Sequence, residues 1–209
     1  MAELKHRCRL YFQLPAQVSA KLEAQLTQAI AGTDAACVLL GVDGGAIDET
    51  HASRLIDLVQ SHGLACLFAD DVAIAERLGA DGVHIAADPI LHAESRQRLG
   101  ESASIGAGCG LNRHDAMRLA ELGADYVAFG TENADIDAIN QCADLIAWWA
   151  EIFIVPSVAW NVGNATDAAR FAALGADFVA LPPQIWSGDD APRQIVEIDR
   201  AVRQARRAA

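Results

Sequence analysis

Lysine is scarce in this chain of 209 residues: only Lys5 and Lys21 are present, and both flank the first predicted strand. A Schiff-base mechanism requires a lysine at the reacting carbon, so the sequence does not favour that chemistry. Basic residues as a whole are few, with 16 of them against 28 acidic residues and a formal net charge of −12. Such a charge repels phosphodiester backbones, which predicts a protein without a nucleic-acid partner.

Closely spaced cysteines and long apolar runs are also missing. The five cysteines, an odd number, are scattered with no C-x-x-C pair, which argues against a disulfide framework or a cysteine-based zinc cluster. No apolar run approaches the roughly 18 residues of a membrane span, and the first residues do not resemble a signal peptide. We therefore expect a reduced, cytoplasmic protein with no membrane contact. Its 52% hydrophobic content suits one core and predicts a single domain over residues 1–209.

One motif, Leu-Gly-Ala-Asp, occurs three times, at residues 78–81, 122–125 and 174–177. Each copy follows a stretch with an acidic start and precedes a short apolar run, as expected for a helix, a glycine stop and a strand. Gly79, Gly123 and Gly175 are predicted to take the left-handed conformation that ends a helix. The final aspartate of each copy is predicted to turn the chain toward its strand.

Further apolar runs complete a set of eight predicted strands alternating with helices. The runs between or before the three motifs begin near Arg9, Ala36, Ala65, Ala103 and Phe153, and the strands after the motifs cover residues 83–85, 126–129 and 178–181. Strands this apolar suggest a parallel sheet covered by helices. Eight similar units in a chain of this length predict an α/β fold, a single (β/α)8 TIM barrel. The motifs then precede strands 4, 6 and 8 and lie at the bottom of the barrel.

In such barrels the active site lies at the carboxyl ends of the strands, so the residues that follow each strand are the candidates for binding a small molecule. Asp70 and Asp88 follow adjacent strands and could share Mg²⁺, which needs only one or two protein carboxylates; alternatively, the aspartates here only cap helices. The predicted ligand-binding set is Asp43, Gly108, Thr131, Glu132, Trp160, Asn161 and Gly163.

Four residues near the strand ends have both a structural and a functional interpretation. His84, inside strand 4, is predicted to be a hydrogen-bonded interior residue rather than a general base. Trp160 and Trp186 would either stack on a flat ligand or plug the barrel mouth. Cys109, between two glycines, is exposed enough in principle for a nucleophile, but no base can be placed beside it.

Several segments resemble thiamine-phosphate synthase and its thiazole tautomerase relatives. They are "LYFQLP" near the start, "FADDVAIAERLGADGVHIAADP" at residues 68–89, "SIGAG" and "LGADYVAFG". The resemblance covers residues 10–185 and implies a (β/α)8 barrel, often a homodimer. It also implies transferase activity that joins a pyrimidine pyrophosphate to a thiazole phosphate with Mg²⁺ at the strand ends.

Carried over position by position, the family's anion-binding residues are mostly replaced. Leu39, Gly41 and Asp43 stand where the resemblance implies Gln, Arg and Lys, whereas Asp70 matches a metal aspartate. After strand 4, Asp88 stands in for a displaced metal aspartate, and after strand 5, Gly108 replaces a Ser or Thr. Thr131 and Glu132 occupy the place of a Thr-x-Thr-Lys loop and of the tautomerase histidine. Asn161 and Val162 replace a Gly-Gly phosphate nest, and Pro183 replaces a Ser.

Three functions are compatible with this pattern. The first is a thiamine-phosphate-synthase-like protein of thiamine biosynthesis that has diverged and lost most of its pyrophosphate-binding residues. The second is a non-catalytic or regulatory barrel that binds an uncharged or cationic heterocycle. The third is a different small-molecule reaction on the same scaffold, which the fold alone does not exclude.

Overall fold

The computed structural model describes residues 7–132 and 135–205. Eight parallel strands form a closed barrel in chain order, each paired with the next and the last with the first. Phe12, for example, pairs with Val38 on one side and with Leu181 on the other. The strands are β1 Arg9–Leu14, β2 Ala35–Leu40, β3 Ala65–Ala69, β4 Gly82–Ala86, β5 Ser104–Gly108, β6 Tyr126–Phe129, β7 Ser157–Ala159 and β8 Phe178–Leu181. The predicted (β/α)8 barrel is confirmed.

One α-helix follows each strand and covers the outside of the barrel. A short 3₁₀ helix, Pro183–Ser187, lies between the last strand and the last α-helix. The helices are α1 Ala20–Gly32, α2 Glu49–Ser61, α3 Val72–Leu78, α4 Pro89–Leu99, α5 Arg113–Glu121, α6 Ile136–Ile152, α7 Ala165–Leu174 and α8 Ala191–Gln204. Within the described residues, no helix is both long and apolar enough to cross a membrane.

Alternating side chains of each strand face opposite sides of the sheet. Leu10, Phe12 and Leu14 of β1 pack in the layer between the sheet and the helices, whereas Tyr11 belongs to a separate cluster inside the barrel. In β4, Val83 and Ile85 likewise pack in the outer layer, which turns His84 inward. Which residues line the interior of the barrel therefore follows from the sequence once it is known which alternate side chains of each strand point inward.

The three Leu-Gly-Ala-Asp motifs share one structural role at the amino-terminal end of the barrel. The glycines take positive φ values of 71°, 91° and 101° as predicted. Each motif aspartate then accepts a hydrogen bond from a backbone N–H of the neighbouring strand. The three pairs are Asp81 with Cys66 at 2.7 Å, Asp125 with Ile105 at 2.7 Å and Asp177 with Ser157 at 2.8 Å.

The backbone N–H of each motif aspartate also donates to the carbonyl of that same neighbouring residue. Each aspartate thus makes two hydrogen bonds with one residue of the strand before its own, and we call this pair of bonds the aspartate clamp. It joins β4 to β3, β6 to β5 and β8 to β7. The predicted turn toward the strand is present, and the clamp explains why an aspartate suits that turn.

One local prediction needs correction. The seventh strand covers only Ser157–Ala159 of the predicted segment 153–159, because Phe153 ends helix α6 as its C-cap. The predicted acidic starts are confirmed, because Asp115 and Asp167 lie in the first turns of α5 and α7, where Asn112 and Asn164 are the N-caps.

Candidate functional site

A cavity of about 370 Å³ opens at the carboxyl ends of the strands. It brings together five of the seven predicted ligand-binding residues, which lie at the ends of four different strands. Its lining is Gln13, Leu39, Val42, Asp43, Ala69, Asp70, His84, Ile85, Ala86, Gly108, Glu132, Trp160, Asn161, Pro183 and Gln184. We call it the mouth cavity. Its position matches the expected site of a (β/α)8 barrel.

The charges of the mouth cavity are all of one sign. Asp43, Asp70 and Glu132 line it, and no lysine or arginine does so among the described residues. Two of the carboxylates also hold loops together: Asp43 Oδ1 accepts the N–H of Ala16 at 2.8 Å, and Asp70 Oδ1 accepts the N–H of Ala86 at 3.2 Å. The side chains that line the mouth cavity therefore carry net negative charge.

The floor of the mouth cavity is aromatic and neutral. His84 is buried, its Nδ1 lies 3.0 Å from the Tyr126 hydroxyl, and burial lowers its pKa to about 3. The imidazole is therefore uncharged at neutral pH. The prediction of a hydrogen-bonded interior histidine is confirmed, and the residue also faces the cavity.

The two tryptophans differ in position. Trp160 stacks on His84, with ring centroids 4.3 Å apart and an interplanar angle of 11°, and it lines the mouth cavity. One of its faces is thus covered by protein. Trp186 is buried outside the cavity, where its indole N–H donates to the carbonyl of Gln13 at 2.9 Å and its ring packs edge-on against Phe12. Trp186 therefore packs in the layer between the sheet and the helices and is not available for stacking on a ligand.

A second cavity, of about 240 Å³, lies on the other side of Trp160. Thr131 and Gly163 line this second cavity and not the mouth cavity, whereas Glu132, Trp160 and Asn161 line both. Asn161 takes a positive φ of 59°, a conformation that asparagine tolerates better than most residues, and its side chain donates to the carbonyl of Thr131 at 3.3 Å. The predicted ligand-binding set is thus divided between two adjoining spaces.

Only one member of the predicted metal pair lines the mouth cavity. Asp70 faces the mouth cavity, but Asp88 does not line it. Asp88 Oδ1 instead accepts the N–H groups of Ile90 and Leu91 as the N-cap of α4. No group of three or more acidic, histidine or cysteine residues within the described part of the chain is arranged to hold a metal. These residues therefore do not fit a two-carboxylate Mg²⁺ site, and Asp70 alone carries that prediction into the cavity.

Cys109 does not have the exposure that its neighbouring glycines suggested. It is 4% exposed, and burial raises the pKa of its thiol to about 12. A thiol in this state is a poor nucleophile. Cys8, Cys37 and Cys66 are buried as small hydrophobic residues, as predicted.

Residues inside the strands form the floor of the site and were missed by considering only the residues after each strand. Gln13 is 2% exposed and donates from its amide nitrogen to Asn161 Oδ1 at 3.1 Å. Tyr11 and Tyr126 lie beneath His84 and share a hydrogen bond of 2.9 Å between their hydroxyls. The alternation of strand side chains, applied to the last inward position of each strand, would have identified Gln13 and His84.

Solved structures share this architecture at low sequence identity. Thiamine phosphate pyrophosphorylase from Pyrococcus furiosus superposes with a TM-score of 0.76 at 18% identity, covering 96% of this chain and 98% of the other. A 3-hexulose-6-phosphate synthase from Salmonella typhimurium superposes with a TM-score of 0.74 at 13% identity, covering 94% and 99%. Fold and cavity together define a (β/α)8-barrel protein with an open cavity at the carboxyl ends of its strands.

Sequence similarity is more specific. Residues 10–185 match the family model of thiamine monophosphate synthase. The thiamine-phosphate synthase of Erythrobacter litoralis is 34% identical over 91% of this chain and 93% of the relative, and that of Rhodospirillum centenum is 32% identical over 94% and 98%. The chain belongs to the thiamine monophosphate synthase family and is linked through it to thiamine biosynthesis.

Proposed function

We propose that this chain is a diverged thiamine-phosphate-synthase-like protein whose mouth cavity accepts a heterocyclic precursor of thiamine but binds pyrophosphate weakly. The observation that carries the proposal is the charge of the mouth: three carboxylates line it, and no described lysine or arginine does. A unit charge 4 Å from another contributes between about 1 kcal/mol in water and about 4 kcal/mol at an effective dielectric of 20. With several like charges at the mouth, the electrostatic free energy opposes pyrophosphate binding.

The backbone after β2 supports the same proposal. The resemblance implies an arginine at the position of Gly41, but Gly41 has a φ of +82°, and a Cβ there would lie 3.0 Å from Ile47 Cδ1. A long side chain is therefore strained in this conformation. Leu39 lines the cavity with an apolar side chain in place of the implied glutamine. The loop is built without the implied arginine, and adding a cation back would require it to change conformation.

The remaining lining favours ligands that are uncharged or cationic. His84 and Trp160 supply a neutral aromatic floor and wall, while Asp43, Asp70 and Glu132 supply negative charge above it. Thiamine and the dephosphorylated thiazole alcohol have this chemistry. A cytoplasmic location, a homodimer and Mg²⁺ held by Asp70 are further parts of the proposal that the family resemblance supports.

Isothermal titration calorimetry tests the proposal directly. We expect the pyrimidine pyrophosphate with Mg²⁺ to give little or no binding heat, and thiamine or the thiazole alcohol to bind measurably. The matched variants are Asp43→Asn, which keeps an acceptor for the Ala16 N–H, and Asp144→Asn, at an exposed position on α6. Asp43→Asn should improve pyrophosphate binding a few-fold and weaken thiamine binding, whereas the control should change neither. Tight binding of the pyrophosphate by the natural sequence, with rapid formation of thiamine phosphate, would contradict the proposal.

A further inference from the structure

The exposed apolar side chains are distributed unevenly around the barrel. All six large hydrophobic side chains that are exposed within the described residues belong to α4, to α5 and α6, or to the turns after these two: Ile90, Met117, Leu122, Ile136, Ile152 and Ile154. None of the described side chains of this kind lies on the helices that cover the other side of the barrel. Soluble monomers usually scatter such residues singly. Their collection on one side indicates a contact surface, which we call the α4–α6 face.

A groove of about 450 Å³ runs between α4 and α5 on this face. Ile90, near the start of α4, is 70% exposed at one end of the groove, and Leu122, just after α5, is 50% exposed at the other. The opposite flank of α5 is closed, because the Arg113 guanidinium lies 4.6 Å from the centre of the Trp148 ring of α6. The groove is therefore the open flank of α5, with apolar side chains at both ends.

The charged side chains of the groove are of both signs. Glu94 of α4 and Arg118 and Glu121 of α5 line it. None of the three forms an ion pair within the described residues, whereas Arg96 and Arg98 of α4 each pair with a carboxylate of their own chain. One arginine against two carboxylates leaves the groove close to neutral, in a chain whose net charge is −12. Two copies that repel each other elsewhere can therefore approach at this groove.

A second copy of this chain is the partner that suits the groove. The net charge of the chain repels nucleic acids and anionic lipid surfaces, and a basic protein would be attracted to the acidic remainder of the surface more than to a nearly neutral groove. A two-fold axis brings the same patch of both subunits together. A groove with a free carboxylate on its α4 wall and a free guanidinium on its α5 wall is complementary to itself under such an axis.

The α4–α6 face has the size that a dimer interface needs. Helix α6 has 17 residues, which at about 1.5 Å per residue span about 25 Å. Three neighbouring helices, each about 10 Å across, span about 30 Å. The product, about 750 Å², is close to the roughly 800 Å² that each partner contributes to a standard-size interface.

We propose that the α4–α6 face is the interface of a homodimer whose two-fold axis runs along the groove, so that α4 of each copy packs against α5 of the other. Arg118 then lies opposite the partner's Glu94, and Ile90 and Leu122 meet their own counterparts across the axis. The inference adds a surface to the homodimer of the proposed function, and it rests on the distribution of side chains rather than on the family resemblance. The groove shares no residue with the mouth cavity.

Sedimentation velocity over a range of protein concentrations tests the inference. We expect a dimer for the natural sequence. Leu122→Glu should raise the dissociation constant about ten-fold or more, because it sets two new carboxylates against each other at the axis. Ala24→Glu is the matched control: it adds the same charge at an exposed position of α1, four units around the barrel from α5, and should remain dimeric. Both substituted residues are exposed, so circular dichroism and Tm should match those of the natural sequence.

Mixing two charge-reversed variants tests the contact between copies without relying on a loss. Glu94→Arg sets two arginines against each other, and Arg118→Glu sets two carboxylates against each other, so each variant alone should be mainly monomeric. In an equimolar mixture both pairs are again of opposite sign, and a heterodimer should form about as tightly as the natural dimer. A mixture that does not associate would overturn the inference.

The remaining outcomes separate this inference from the proposed function. A natural dimer that Leu122→Glu leaves intact would show that the interface lies elsewhere, and would overturn the inference alone. A natural sequence that stays monomeric at every concentration would leave the α4–α6 face to a different protein. It would overturn the inference together with the homodimer of the proposed function, while the ligand preference of the mouth cavity would stand on its own calorimetric test.

Discussion

The aspartate clamp predicts a specific stability cost for removing a motif aspartate. In Asp81→Ala, the backbone N–H of the fully buried Cys66 loses its 2.7 Å acceptor. A hydrogen bond to a charged group contributes about 1.5–3 kcal/mol. For a domain of this size each kcal/mol lowers Tm by about 2–4 °C, so a loss near 2 kcal/mol should lower Tm by about 4–8 °C. Asp177→Ala should behave alike, since it removes the 2.8 Å bond to the equally buried Ser157.

Thermal unfolding followed by circular dichroism is the assay, with two comparisons. Asp81→Asn and Asp177→Asn keep an oxygen that can accept the strand N–H, so each should cost less than its alanine counterpart. Asp144→Ala, at an exposed position on α6, should change Tm by little, because surface substitutions generally stay within about 0.5 kcal/mol. The clamp argument is refuted if the alanine variants match Asp144→Ala, or if asparagine is as costly as alanine at both positions.

Three other outcomes follow from the interior of the barrel. The pKa of His84 is about 3 in the folded protein against 6.5 as a free side chain, so protonation favours unfolding as pH falls from 6.5 toward 3, by up to about 4 kcal/mol. In urea unfolding across this pH range, His84→Asn should lose less of its free energy of unfolding on acidification than the natural sequence does. An equal loss in both proteins would contradict the prediction. Burial raises the thiol pKa of Cys8, Cys66, Cys109 and Cys142 to about 12, so iodoacetamide at mildly alkaline pH should label them slowly until urea unfolds the protein, and fast native labelling would show exposed thiolate. Gly106→Ala should lower the free energy of unfolding by about 1–3 kcal/mol or more, because its Cβ would collide with the Tyr126 ring and overpacking is costly. Chemical denaturation measures this loss, with Gly188→Ala as the reference variant. Equal stability of the two variants would refute the packing argument.

The barrel itself could be predicted from sequence because its signals are local and repeated. A helix stop at Gly79, Gly123 and Gly175 and apolar runs at regular intervals need no knowledge of distant contacts. The predicted start of strand 7 was wrong for the same reason. The apolar run begins at Phe153, the C-cap of α6, but the strand begins only at Ser157. Local patterns identify elements, and tertiary pairing decides where a strand begins.

The site was only partly predictable because side-chain direction depends on register and packing. Asp43, Asp70, Gly108, Glu132, Trp160 and Asn161 do meet in the mouth cavity, since the carboxyl ends of all strands share one end of a barrel. Asp88 follows a strand in the same way, yet its carboxylate bonds to the first turn of α4. Trp186 is turned away by a hydrogen bond to Gln13. Nothing in the sequence near either residue specifies those partners.

The residues at the two ends of the barrel have different roles in this family member. In the segments that resemble the family, the structure explains residues that hold the barrel together. Asp81 and Asp125 clamp neighbouring strands at the amino-terminal end of the barrel, and Gly106 makes room for the Tyr126 ring. The mouth residues contribute to none of these contacts. Family membership can therefore persist while ligand chemistry changes, because substitutions at Asp43 or Gly108 leave the clamps untouched. It follows that Asp43→Asn, which keeps an acceptor for the Ala16 N–H, should alter ligand preference at nearly constant stability, whereas clamp variants should lower stability at constant preference.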